Sequence, residues 1–451
     1  MGQPQRVIIV GAGSAGCVLA ARLSEEHDRE VILIEKGGWA ARSAASSKGV
    51  SLKDAYDPSM SVGWEVNLPD GGVQELRSGR SVGGSSAVNG CYFIRPTGRD
   101  MADWERIVGP EYSSEAFLAR FVRLENDLDF GDDPGHGDSG PVPVERDREL
   151  LSPVSEAFGA ASVGWGAPEV PDKNAPGADI GIGAVPFNSR GGVRVDMASA
   201  YLSAFVTGET RRSNLRVLTE ARVRRVLFEG IKAVGVEAEI DGELVAMRAD
   251  QVVVSAGAIG SPALLFASGI GPAVQLRASG VEVLANLPGV GAELFNHPVV
   301  DLTYQPTPEL LRNLDASAAG LSFMQLALHT SSANDGPGDF EFMATRVPYG
   351  VATGREPSDT LLSMRATLSR PTGRGELSFS LIDGWTSVRV NFRAGGTEAD
   401  SLAMRAAVRI GSELLRSPHF ERLIEVGFGP TPEQLSFDSA LDVWISCTSV
   451  N

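Results

Sequence analysis

A strand, a glycine turn, a helix, a second strand and an acid follow one another in the first thirty-six residues, and that order leaves few folds open. Arg6-Val7-Ile8-Ile9-Val10 is a β-branched run of the kind that forms a buried strand. Gly11-Ala12-Gly13-Ser14-Ala15-Gly16 comes next and gives G-x-G-x-x-G. In that pattern Gly11 permits the tight turn, Gly13 lets the backbone approach a pyrophosphate, and Gly16 lets the helix lie close to the sheet. Val18, Leu19 and Leu23 supply the helix's apolar residues, and its amino-terminal N–H groups are aimed at phosphate. Val31-Ile32-Leu33-Ile34 is the second strand. Glu35 closes it at the spacing where a carboxylate accepts hydrogen bonds from an adenosine ribose. A glycine hexapeptide alone is weak evidence, but the strands, helix and acid in register point to a bound dinucleotide.

At 451 residues the chain is too long for one core, so two domains are expected. A net charge of −17 argues against nucleic acid as a partner, because phosphate neutralisation needs a basic surface. Cys17, Cys91 and Cys447 form no C-x-x-C pair, so neither a disulfide framework nor a metal site is expected, and a reducing compartment fits. Val7–Ala21, behind Arg6, mimics a signal peptide, but its glycines at dinucleotide spacing favour the fold. No apolar run reaches the length of a transmembrane segment. The expected address is the cytoplasm, or a peripheral position at the membrane.

Further along, Leu215–Leu218 and Val223–Phe228 read as strands, Val234–Ala238 alternates, and Gly242-Glu243 turns into Val245–Ala249, a small antiparallel meander. Gln251–Gly257 is an apolar strand suited to the centre of a parallel sheet. Residues 300–395 alternate, as in Leu377–Leu381 and Ser387–Phe392, and predict a separate antiparallel sheet. Thr397–Leu415 has the spacing of an amphipathic helix. The expected fold is an α/β Rossmann-like domain, discontinuous in sequence, plus an α+β substrate domain with an antiparallel sheet. The boundaries read 1–135 and 205–298 for the nucleotide domain, with 420–451 returning to it. The substrate domain takes 136–204 and 299–419.

Two more segments carry chemistry. From Gly79 to Gly90, paired glycines and serines (Gly83, Gly84, Ser85, Ser86) followed by Asn89 let backbone N–H groups and hydroxyls crowd a flat polar ring. Val82, Val88, Tyr92 and Phe93 argue that the segment packs inside rather than forming a surface loop. From Gly257 to Pro272, Pro262 stands where a helix would begin, and Gly269 and Gly271 where it would end.

Together these residues closely resemble the glucose–methanol–choline (GMC) oxidoreductase family, in order and over nearly the whole chain. Gly79 through Ala102 and Gly257 through Gly271 match its two signature segments. Gly289–Pro298 resembles a third, with Asn296 where the family usually has aspartate. The resemblance implies FAD rather than NAD. By it, Glu35 holds the adenosine ribose, Val82 and Asn89 approach the flavin, and Val223 meets the adenine through its backbone. The full set of cofactor residues is Gly11, Gly13, Ser14, Ala15, Gly16, Glu35, Val82, Gly84, Asn89, Val223 and Ala256. Val88 occupies the position where some members attach FAD through a histidine, and no histidine lies between Gly79 and Ala102, so non-covalent FAD is expected.

The family oxidises alcohols by hydride transfer to flavin, with a histidine base and a second histidine or an asparagine beside it. That pair lies in an H-x-x-G-T-C-like segment, and the chain reaches Asn451 without one. The expectation is therefore that the carboxyl-terminal catalytic segment is absent and the catalytic residues unassigned. His27, His136, His297, His329 and His419 each read as surface or structurally satisfied histidines. Asn89–Phe93 and Leu128–Phe130 resemble mycofactocin-associated members, which implies a small-molecule alcohol or a reduced carrier as donor and an acceptor other than oxygen. A catalytically silent flavoprotein and an NAD-linked dehydrogenase are the alternatives.

Overall fold

The computed structural model describes residues 4–40, 53–67, 72–147, 150–206, 210–316, 322–331, 339–347, 361–392 and 396–450. Four parallel strands form the nucleotide sheet in the order Leu215–Leu218, Arg29–Ile34, Gln5–Val10, Gln251–Val254. Both faces of the central pair are covered, which is why those strands read as unbroken apolar runs. Val7, Ile9, Val31 and Leu33 point to the side of the helix Ser14–Leu23 and join Cys17, Ala20 and Tyr201 in one core. Ile8, Val10, Ile32 and Ile34 point the other way, onto Val226 and Val236. Those two belong to the expected antiparallel meander of Arg222–Glu229, Lys232–Ile240 and Glu243–Arg248.

The second core lies under a seven-stranded sheet. Its path runs Ile424–Gly427, Val299–Pro306, Leu362–Leu368, Phe340–Ala344, Leu326–Thr330, Gly181–Ala184, with Ser449–Val450 as the seventh strand pairing beside Val299–Pro306, antiparallel throughout. Val300, Leu302, Tyr304, Phe340 and Phe342 alternate into the core, where Pro153–Trp165 and Glu398–Leu415 cover them. The latter helix begins where the sequence predicts, because the Thr397 side chain accepts from the Asp400 N–H.

Three expectations need correction. First, the strands within 300–395 do not make one sheet. Glu376–Ile382 and Trp385–Asn391 pair with Ser61–Asn67 and Val73–Gly79 in a four-stranded sheet beside the nucleotide domain. Phe379 stacks there on Phe266, with ring centroids 4.9 Å apart. Second, residues 420–450 lie on the large sheet rather than returning to the nucleotide sheet. Ile424–Gly427 pairs with Val299–Pro306, and Leu441 is buried in the large core. Third, Pro262 stands inside the helix Gly257–Ala267, not at its start. Gly257, at φ +82°, lets the chain pass from strand to helix at once, so the helix starts five residues before the proline.

Candidate active site

A cleft of about 720 Å3 opens at the carboxyl ends of the parallel strands, where ligands bind in sheets of this kind. Gly11 makes the turn into it at φ +99°, and a Cβ there would lie 2.6 Å from the Ser255 carbonyl oxygen. Across the mouth, Gly84 takes φ +54° and brings its backbone against Gly13, so that a Cβ on Gly84 would lie 2.5 Å from the Gly13 Cα. Two helices start at this cleft, Ser14–Leu23 and Gly257–Ala267, and neither has a side-chain cap or an acid in its first turn. Their N–H donors stay open to an anion.

Glu35 is 7% exposed; its Oε2 accepts from the Ala12 N–H and its Oε1 from the Gly37 N–H, each at 3.0 Å. Burial pushes its carboxyl above the usual range, against the pull of those two N–H groups. Val223 reaches the cleft beside a β-bulge between Val223 and Arg225, which breaks the register and re-aims the strand.

Of the sequence-predicted cofactor residues, Gly11, Gly13, Ser14, Ala15, Glu35, Gly84, Val223 and Ala256 line this cleft. Gly16 sits behind it, with a would-be Cβ 1.9 Å from the Gly11 oxygen. Val82 is buried below the loop and bridges Trp39. Asn89 is exposed, its Oδ1 accepting from the Cys91 N–H at 3.0 Å and from Arg194 at 2.7 Å. Open helix termini, a glycine cradle and a buried carboxylate in one elongated cleft are the donor set that a dinucleotide requires.

A second cavity, about 1600 Å3, adjoins the first. Leu294, Phe295 and Asn296 line the cleft, while Phe295 and His297 line the cavity. Sequence reasoning gave His329 no catalytic neighbours, yet it lines this cavity beside Glu341 and Tyr92. His329 and Glu341 are register partners on adjacent strands, with Nε2 3.0 Å from Oε2, and the Tyr92 hydroxyl is 3.4 Å from the same nitrogen. Burial works to raise the Glu341 carboxyl, but the His329 hydrogen bond and charge outweigh it and hold it below the usual range. Lys173, also on the wall, is pushed down to about 8 by burial, and its Nζ donates to the Gly181 oxygen at 2.9 Å. No local pattern announces this group, because only strand pairing brings it together.

Behind the wall is a buried charge network. His136 places Nδ1 2.9 Å from Glu125 and Nε2 2.8 Å from Asp172. Arg146 bonds Asp127 at 2.8 and 2.9 Å and Asp172 at 2.8 Å, while Arg95 bonds Glu125 at 2.6 Å. With Asp129, 3.3 Å from Arg146, four carboxylates thus face two guanidiniums and one imidazole. Burial opposes a charge on His136, but the hydrogen bonds it donates to Asp127, Asp172 and Glu125 push its pKa up to about 11. Glu125, Asp127 and His136 are close enough to ligate a metal, but an imidazole donating from both nitrogens has no lone pair to give one. The structural histidine expected at position 136 is this network's hub.

Fold and cleft together define a dinucleotide-binding protein with a second cavity adjoining the cofactor cleft. The family profile described as GMC oxidoreductase matches residues 5–299. A GMC-type oxidoreductase from the thcA 5′ region of Rhodococcus erythropolis is 35% identical over 91% of this chain and 80% of its own length. The oxygen-dependent choline dehydrogenase of Vibrio vulnificus is 31% identical over 99% of this chain and 82% of its own. The solved pyridoxine 4-oxidase from Mesorbium loti superposes with a TM-score of 0.87 at 26% identity, covering 99% of this chain and 87% of that one. The chain belongs to the GMC oxidoreductase family. It is an FAD-dependent oxidoreductase of alcohol type. Among the described residues no helix is long and apolar enough to cross a membrane.

Proposed function

We propose that the chain oxidises a small-molecule alcohol at its CH–OH carbon, with FAD held non-covalently in the glycine cleft and the alcohol in the adjoining cavity. The observation that carries this reading is the junction at Leu294–His297, where cofactor cleft and cavity share Phe295. Gly11, Gly13, Ser14, Ala15, Glu35, Gly84, Val223 and Ala256 are the contacts from the cleft lining. Gly16 supports them from behind, and Val82 and Asn89 belong to the flavin end. The cofactor unit is built from 1–135 and 205–298, facing a substrate unit from 136–204 and most of 299–419.

Bound FAD supplies the acceptor for the carbinol hydride. The chain's own task is to orient the hydroxyl and take its proton. His297 and His329 are the imidazoles that line the cavity, and His329 has Glu341 to stabilise a proton it gains. Val88, standing where covalent members carry histidine, supports non-covalent attachment. Asn89–Phe93 and Leu128–Phe130 support a mycofactocin-type carrier as donor, with electrons passing toward respiration rather than oxygen. Cys17, Cys91 and Cys447 form no disulfide among the described residues, which suits the cytoplasm, in peripheral contact with the membrane that holds such acceptors.

The test is anaerobic mixing of the holoprotein with simple primary alcohols, choline, pyridoxine and a reduced mycofactocin-type carrier while flavin absorbance is followed. Bleaching by one of them supports the reading and names the donor class; no bleaching by any overturns it. Acid precipitation that retains flavin on the protein overturns non-covalent binding, and rapid oxygen uptake overturns the respiratory acceptor.

A further inference from the structure

The chain carries a net charge of −17, and its cofactor carries a diphosphate. The average field of the protein therefore opposes the ligand it must take up. Around the cleft the local charge is reversed. Lys36 and Arg222 both line it. The Lys36 Nζ sits over the Trp64 ring, 5.3 Å from its centroid, and the Arg222 guanidinium over the Trp385 ring at 3.8 Å. Arg80 is close enough to act electrostatically on both.

Neighbouring arginines on the same rim are neutralised, Arg77 by Glu75 at 2.8 Å and Arg224 by Glu237 at 3.5 Å. Lys36, Arg80 and Arg222 form no such ion pair among the described residues; Glu35 and Glu239 act on Lys36 and Arg222 only through space. Burial and mutual repulsion disfavour the charge on Lys36 and on Arg222. Cations crowded at a cleft mouth and resting on indole faces are tolerated when an anion is to meet them.

We propose that Lys36, Arg80 and Arg222 form a capture site for the diphosphate of incoming FAD, which draws the dinucleotide through the repulsive outer field before the helix termini at Ser14 and Gly257 take it over. The trio acts on the rate of uptake rather than on the strength of the final complex.

The full chain is stripped of flavin and mixed with FAD in a stopped-flow instrument, and quenching of flavin fluorescence gives the association rate at about 0.02 M and about 0.3 M salt. Salt slows uptake by the wild type. In the double variant Lys36→Gln/Arg222→Gln the association rate at low salt falls about tenfold and its salt dependence flattens, while the dissociation rate is unchanged. Lys36→Arg keeps the wild-type rate, which separates charge from shape. An unchanged association rate in the double variant, a salt-insensitive wild type, or a loss confined to dissociation overturns the capture site. A wild type that quenches no FAD overturns it together with the cofactor assignment, an outcome distinct from failed capture.

Discussion

The cofactor cleft and the substrate cavity lie side by side but are made of different material. The cleft is built of backbone: the Gly11 turn, the Gly13–Gly84 approach, two uncapped helix starts, and Glu35 tied to the Ala12 and Gly37 N–H groups. Its first half lies within one stretch of chain, residues 11–37. The cavity is built of side chains, among them Tyr92, Lys173, His297, His329 and Glu341; strand pairing brings His329 to Glu341, and a buried charge network lies behind the wall. Disturbing the cleft should therefore act locally on FAD, whereas disturbing the cavity wall should act on the whole fold.

The sharpest way to break that contrast is Arg146→Met. Its side chain is fully buried, bonds Asp127 through both terminal nitrogens and shares Asp172 with His136. Removing it leaves two buried carboxylates with His136 as their one cationic partner among the described residues, so stability should fall by about 3–5 kcal/mol in guanidinium titration. A loss under about 1 kcal/mol means that the network does not hold the wall.

The same network predicts a pH dependence. The His136 pKa is pushed up to about 11, with hydrogen bonds donated to Asp127, Asp172 and Glu125 outweighing burial. Its folded value lies above the unfolded value of about 6.5, so the stability it contributes is complete below about pH 6.5 and is lost as pH rises through about 11. Wild-type stability should decline across that window with a slope of up to about 1.4 kcal/mol per pH unit. His136→Gln should be less stable at about pH 7 and lose less on going to about pH 10. Parallel curves for the two proteins contradict a charged His136.

On the cleft side the effect is smaller and more specific. A Cβ on Gly16 would lie 1.9 Å from the Gly11 oxygen, so Gly16→Ala must push the helix off the strand. The expected cost is about 1–3 kcal/mol, with flavin content at purification falling more than stability does. Full flavin occupancy in that variant argues against a cleft set by helix–strand contact.

How much of this was legible follows the same division. Gly11 through Glu35 could be read directly, because each residue's partner is a few positions away and the constraint falls on the backbone. The meander from 222 to 248 and the Thr397-capped helix were legible for the same reason, but Leu215–Leu218, read as part of that meander, instead joins the parallel nucleotide sheet beside Arg29–Ile34. Leu377, Phe379 and Val390 announce a strand with one buried face, but not that the buried face meets Phe266 rather than the large core. Alternation fixes the face and leaves the partner open. The His329–Glu341 pair was invisible because neither residue departs from an ordinary strand pattern. Their meeting is a property of register. Pro262 misled because a positive-φ glycine upstream had already begun the helix.

The smallest expected effect tests whether Glu35 is a part of the scaffold or of the binding site. Its two oxygens accept from two separate N–H groups, Ala12 and Gly37. Glu35→Gln keeps the shape but offers one acceptor and one donor, so one of those N–H groups meets an amide N–H instead. Leaving a single buried donor unpaired costs about 1 kcal/mol or slightly more. Because burial already disfavours the Glu35 charge, losing that charge should not add greatly to the cost. If the carboxylate also holds the ribose, the FAD dissociation constant should rise about tenfold, equivalent to one charge-assisted hydrogen bond. Calorimetric titration of the apoprotein with FAD separates the two roles: equal affinity in wild type and variant, with only the melting temperature lowered, leaves Glu35 as the clasp that closes the glycine turn and removes it from the ribose.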